Sequence, residues 1–324
     1  MNDNTRKLIL YLQPTFTYWK LRDPADYLSP KKYKLGFYPL SFKKRLFEKH
    51  YLNFDEQGLP LSGVINGDLA HHVTTISSFS FANWELFLET GDEKYSKLIL
   101  QAADYFLSKA RYHDTDRATI LWYFDKTETD GKNCGMDQGE AISVLVRAYC
   151  ITQNNSYLKL ASDISASFLH GLNEKGVSEN IPGTNDPWFL EGEKFILNGH
   201  IYALVGLWEL WRVSGEQEHY NIFKLGYDSV VKHVDLFDKK YWSIYMLEDK
   251  KYLASMMYHN LHICQLRILN QLESHPVLIS YAGRFEKYAG NIFYRLLAGY
   301  NLFSSKIRRM LAKNKIDTVE EKQN

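Results

Sequence analysis

The chain has 324 residues, 39 basic and 38 acidic, giving a net charge of +1, and 45% of it is hydrophobic. Such a length buries a substantial core and such a composition is that of an ordinary globular protein. The balanced charge excludes a global field that would recruit nucleic acid. Aromatic residues stand out at 15%, with 23 tyrosines and 7 tryptophans. Aromatic faces pack cores and also form platforms for the apolar faces of sugar rings. Cys134, Cys150 and Cys264 are too few and too scattered for a disulfide framework or a zinc site, and read as reduced thiols.

The first 19 residues hold only a short apolar run, broken by Gln13 and Pro14, with no cleavage site. They predict neither a signal peptide nor a membrane span, hence a cytoplasmic protein without stable membrane insertion. Residues 1–70 read as a loop-rich arm, with prolines at 14, 24, 30, 39 and 60. Within it Tyr33–Phe42 fits either a strand pair or an extended wrapping segment.

From Thr74 the pattern turns helical and repeats. Four units follow, each a long apolar helix, a turn and a second amphipathic helix. Their turns at Thr90, Thr152, Ser214 and Glu273 lie 62, 62 and 59 residues apart. Open solenoids repeat at shorter periods, and each first helix is apolar nearly all round, so the expected fold is all-α: an incomplete α/α toroid over residues 71–295. The second helices carry Lys97, Asp104, Lys159, Asp163, Lys224 and Lys232 as an outer face. Long connections before the second and third hairpins, together with the opening stretch, are expected to build the cleft. Residues 296–324 read as a basic C-terminal helix and tail packed on the body.

Proton-exchanging side chains concentrate between Tyr241 and Leu266. Tyr245 and Tyr258 flank a short loop entering a helix, on which His259, His262 and Gln265 share one face. Neither this histidine pair nor the adjacent His71 and His72 shows a full ligand set at a recognisable spacing, so no metal is expected. The chain shows no glycine-rich phosphate loop and no nucleophile elbow.

Taken in order, GMDQGEAISVLVRAY, PWFLEGEKFILNGHIYALVGLWEL, the Tyr241–Leu266 stretch and YAGRF resemble the C-terminal catalytic region of the D-glucuronyl C5-epimerases, over roughly residues 61–288. That resemblance implies an α-helical toroid. It also implies inversion of C5 in the uronic acid residues of an oligo- or polysaccharide, by proton abstraction and return. Such chemistry needs an acid or base on each face of the sugar and a partner for its carboxylate. The matching proton carriers are Tyr258, Tyr245 and Glu191. The same resemblance points to Arg147, His259, His262, Asn198, Trp188, Gln138 and Arg284 as substrate-binding residues. No cofactor is expected, because the carboxylate itself acidifies C5. The partner is a uronate-containing glycan, no nucleic acid is involved, and a homodimer is allowed.

The chain departs from the family pattern at three places. Leu190-Glu191-Gly192-Glu193 stands for EEYP, Tyr245-Met246-Leu247-Glu248-Asp249 for YDLRH, and Ser78 for a glutamine. Two alternatives therefore stand beside the epimerase. One is a lyase or glycoside hydrolase drawing carboxylates from Glu191, Glu193, Asp137 and Glu248. The other is a non-catalytic toroid that binds a glycan or a protein.

Overall fold

The structure, a computed structural model, describes residues 19–29, 32–48, 50–65, 68–120, 133–250 and 252–304. In the arm, strand β1 (Lys20–Leu21) pairs antiparallel with β2 (Leu40–Ser41), and helices α1 (Pro24–Leu28) and α2 (Lys43–Phe47) follow the two strands. Within the arm's Tyr33–Phe42 stretch only Leu40–Ser41 is a strand, and the residues before it run through a series of bends. Strands β3 (Asn53–Phe54), β4 (Pro60–Ile65) and β5 (Asp68–Ala70) then make a three-stranded antiparallel sheet in that order.

Four helical hairpins follow: α3 (Val73–Thr90) with α4 (Glu93–Lys109), α5 (Gly135–Thr152) with α6 (Asn155–Ala166), α7 (Leu197–Ser214) with α8 (Gln217–His233), and α9 (Met256–Leu272) with α10 (Pro276–Gly290). The first three turns share one construction. A left-handed residue at Gly91, Gln153 or Gly215 ends the first helix and returns its N–H to Phe87, Tyr149 or Trp211. Asp92 and Asn154 then cap the next helix by accepting from Lys94 and Ser156. Gln153 is the one side-chain-bearing residue among these, at φ 59°. Gln153→Gly should therefore stabilise the protein by about 0.5 kcal/mol, readable in a denaturant titration, because the Cβ penalty slightly outweighs the loss of its bonds to Tyr149 and Cys150.

The helices α3, α5, α7 and α9 form the inner wall and pack on one another in sequence, while α4, α6, α8 and α10 lie outside. The inner helices are buried nearly all round, which is why their sequences lack a polar face. At the tightest crossing Gly139 and Gly206 face each other, and a Cβ on Gly206 would sit 2.1 Å from the Gly139 carbonyl. On the outer helices Lys97, Asp104, Lys159 and Lys232 are exposed. Asp163 is not: it is buried, salt-bridged to Lys159 at 2.9 Å and hydrogen-bonded by Tyr112 of the hairpin β6 (Arg111–Asp114) and β7 (Arg117–Thr119).

With four hairpins the ring is incomplete, and the arm spans α9 and α3. Tyr27 donates to Gln271 of α9, while the Trp84 indole of α3 donates to Gly36 at 2.7 Å. Arg22 and Ser41 both bind Glu85 of α3. Trp19, Leu35, Tyr38, Leu40 and Phe42 of the arm enter the common core. Residues 292–304 are helical, and the rest of the expected basic tail lies outside the described residues. Among the described residues no helix is long and apolar enough to cross a membrane.

Candidate active site

The connections between hairpins all reach the N-terminal ends of the inner helices, so the mouth of the ring lies there. About half of the connection before α5 falls outside the described residues, at 121–132. The one before α7 carries β8 (Ser178–Asn180) and β9 (Pro187–Phe189), and the one before α9 carries Tyr245.

The fourth residue of each of three inner helices clamps the connection that precedes it. Gln138 accepts from Ile120 N at 2.7 Å and donates to Ile120 O at 2.6 Å. His200 accepts from Phe189 N through Nδ1 at 2.8 Å and donates through Nε2 to Gly226 O at 2.9 Å. His259 repeats this with Ser243 N at 3.2 Å and Phe285 O at 2.9 Å. Each histidine also stacks on a tryptophan: His200 on Trp188 at 4.0 Å and His259 on Trp242 at 3.8 Å between centroids. Burial lowers His259 to about 4 and His262 to about 3, so both are neutral at pH 7. Gln138, Trp188 and His259 are thus anchored into the wall. His262 shares the Ser243 hydroxyl through Nδ1 at 2.9 Å and keeps a buried Nε2 with no partner.

Arg147 and Arg284 lie elsewhere. Arg147 is fully buried near the other end of α5, where it grips Glu209 through two bonds of 2.7 and 2.6 Å. Arg284 sits on an outer helix, paired with Asp238 at 2.9 Å. Asn198 opens α7; its carbonyl accepts from Gln265 at 3.0 Å, and its Oδ1 is buried without a partner.

The structure does bring Tyr245, Tyr258 and Glu191 together. Ser255 caps α9 by accepting from Tyr258 N at 3.3 Å, which sets Tyr258 in the first turn facing the loop. Its ring lies 4.8 Å from that of Tyr245, and the two side chains are hydrogen-bonded to each other. The tyrosines therefore stand on one side, hydroxyl to hydroxyl, rather than facing each other across a sugar. Burial, then Tyr258 and Glu191, push the Tyr245 phenol above its ordinary range, so it remains protonated. Glu191 is held by backbone pairing with Cys134 and Lys194 around the left-handed Gly192. Its Oε2 is buried without a hydrogen-bond partner, over Gly199, where a Cβ would come within 3.1 Å of it. Burial raises its pKa against the opposing pull of Lys194.

Two more carboxylates occupy the first turns of α5. Asp137 and Glu140 are buried, and each has one oxygen without a partner. Thr74 of α3 donates to Asp137 at 2.9 Å and is hydrogen-bonded to Glu140 as well. These bonds favour the charged carboxylates, but desolvation by burial outweighs them. Burial accordingly pushes Glu140 up to about 8 and Asp137 well above the usual carboxylate range. A folded-state carboxyl raised in this way holds a proton that the unfolded chain releases. Its stabilisation is present below about pH 4.5 and is lost as pH rises through about 8. The melting temperature should fall between pH 5 and 8, by on the order of 5 °C, and Glu140→Gln should flatten that slope in a pH series of thermal melts.

Of the acids singled out from the sequence, Glu193 and Glu248 are not buried with the others. Both are exposed, and Glu248 accepts from Phe195 N at 2.7 Å. The residues missed were Glu140, Tyr202, Tyr51 and Arg45. The 62-residue period held a signal for two of them, since Ser78, Glu140 and Tyr202 occupy the same sixth position of α3, α5 and α7. Among the described residues no group of three His, Cys, Asp or Glu side chains is placed to hold a metal ion.

The fold is an α/α toroid, with a cluster of tyrosines and buried carboxyl groups at the N-terminal ends of its inner helices. Residues 117–287, just over half of the chain, match the family described as D-glucuronyl C5-epimerase C-terminus, and the chain belongs to that family. It is 28% identical over 180 residues to the D-glucuronyl C5-epimerase of Caenorhabditis elegans, covering 49% of this chain and 29% of that protein. The chain thus spans less than a third of that relative. Among solved structures it is similar to a D-mannose isomerase, with a TM-score of 0.51 and 13% identity over 76% of this chain and 68% of that one. It is also similar to the unsaturated glucuronyl hydrolase of Bacillus sp. GL1, with a TM-score of 0.49 and 14% identity over 67% and 61%. The likeness to the isomerase is one of fold.

Proposed function

We propose that the protein is a C5-epimerase of uronic acid residues within a glycan, working by general acid–base catalysis at the mouth of the toroid. The observation that carries this reading is the meeting of Tyr245, Tyr258 and Glu191, with a carboxylate oxygen of Glu191 unpartnered at the centre. Because the two tyrosines share one side, they serve one face of the sugar as a relay. Tyr245, held as a phenol, is the acid that returns a proton; Tyr258 exchanges protons with it. Glu191 serves the other face as the base, its free oxygen placed to take the C5 proton. The carboxylate of the substrate delocalises the charge that remains, and the protonated acids on α5 can donate hydrogen bonds to it.

The test is incorporation of solvent deuterium at C5, read by NMR, when the protein is incubated in D2O with glucuronate-containing oligosaccharides. Exchange without chain cleavage is the expected result. Absence of exchange alongside measurable binding would remove the epimerase reading. A second reading is favoured by the extra buried acids Asp137 and Glu140: hydrolysis of a glycosidic bond by a carboxylate pair. New reducing ends in the same incubation would establish it instead.

A further inference from the structure

The loop before α9 carries Glu248 and Asp249 and no arginine. Resting on the proposed function, the question is which cation meets the uronate, because the mouth already holds Asp137, Glu140 and Glu191. A uronate adds a fourth carboxyl group to a buried acidic floor, and burying a charge without a partner costs several kcal/mol.

Among the described residues two cations act on these acids: Lys194 on Glu191, and Arg45 on Glu140. Lys194 is exposed. Arg45 is half-buried and comes from α2 of the arm, outside the repeat. Its Nη1 donates to Ser78 Oγ at 3.0 Å, and the buried Tyr51 hydroxyl meets the same Ser78 at 3.0 Å. Its guanidinium lies 5.2 Å from the Phe42 ring centroid, which fixes its plane. Ser78 is one turn into α3 and Glu140 one turn into α5, so the guanidinium reaches the mouth between them. Tyr202, at the corresponding position of α7, feels the charges of both Glu140 and Arg45. One carboxyl oxygen of Glu140 is buried without a partner.

We propose that Arg45, held at Ser78 of α3, is the specificity-determining residue that receives the carboxylate of the uronate. A planar guanidinium held on a ring face suits a carboxylate, which it grips through two parallel bonds. The position where the family carries glutamine is the small Ser78 here, and Ser78 is the side chain that the guanidinium holds. The arm therefore completes the substrate site as well as the ring.

The experiment is calorimetric binding of two probes, a glucuronate-containing tetrasaccharide and its carboxyl-reduced counterpart, to the full chain and to Arg45→Gln and Arg45→Lys. The full chain should prefer the uronate by about ten-fold or more, the worth of a charge-assisted pair. Arg45→Gln should reduce that preference to about two-fold with binding of the reduced probe unchanged, which also reports an intact site, and Arg45→Lys should retain part of it. Preference unchanged in Arg45→Gln, or absent from the full chain, overturns the proposal. Deuterium exchange in the unaltered protein separates the two readings. Preference that depends on Arg45 without exchange keeps the subsite and removes the epimerase. Exchange with preference untouched by Arg45→Gln does the reverse.

Discussion

Arg147→Ala should destabilise the protein by about 3–5 kcal/mol, the typical cost of breaking a buried ion pair by removing one partner. Arg147 is 0% exposed, and its guanidinium closes both oxygens of Glu209 while donating to Ser143 O at 2.7 Å. It also lies within 5.2 Å of the Tyr38 and Phe81 ring centroids, so the alanine leaves a cavity among aromatic groups. Glu209 would then be a buried carboxylate with no counter-charge, and it would have to take up a proton. In a thermal melt the transition should drop by on the order of 10 °C. The double replacement Arg147→Met with Glu209→Leu should recover most of that loss, because it removes the stranded charge and refills the space. A single-variant loss below about 1 kcal/mol would show that the pair does not hold α5 to α7.

Tyr258→Phe should lower deuterium exchange at C5 by about a hundred-fold or more, the usual weight of a positioned acid or base. The substitution keeps the ring that packs 4.8 Å from Tyr245 and removes only the hydroxyl that joins the two side chains. Tyr258 is partly exposed, so stability should change by less than about 1 kcal/mol and glycan binding should persist. Exchange retained within ten-fold of the unaltered protein would take Tyr258 out of proton transfer and leave Tyr245 and Glu191 to act without it.

The hairpin count, the inner and outer helices and the turn positions were all legible in the sequence. The first three inner helices are buried on nearly every side, so apolar residues occur all round them with only scattered polar ones, and that signature survives without any knowledge of their neighbours. The meeting of Tyr245, Tyr258 and Glu191 was legible through the resemblance of their motifs. The positions of Arg147, Gln138, Trp188 and His259 were not. A polar residue on an apolar helix reads the same whether it faces a substrate or satisfies a neighbouring carbonyl. Arg147 could be assigned only once Glu209, one 62-residue period later, was seen against it.

What the sequence by itself determined is the repeat, and with it a ring whose connections gather at the N-terminal ends of the inner helices. Local periodicity and capping suffice for that, because each signal lies within one helix or one turn. Only the tertiary structure decided which polar groups meet in the mouth. Thr74 of α3, Asp137 and Glu140 of α5 and Glu191 of the following connection come from three segments, and the raised pKa values of the three acids follow from shared burial, which no one segment encodes. The same holds for Arg45: an arginine on a five-residue helix in a loop-rich arm is unremarkable until the ring's gap brings it against Ser78 and Glu140.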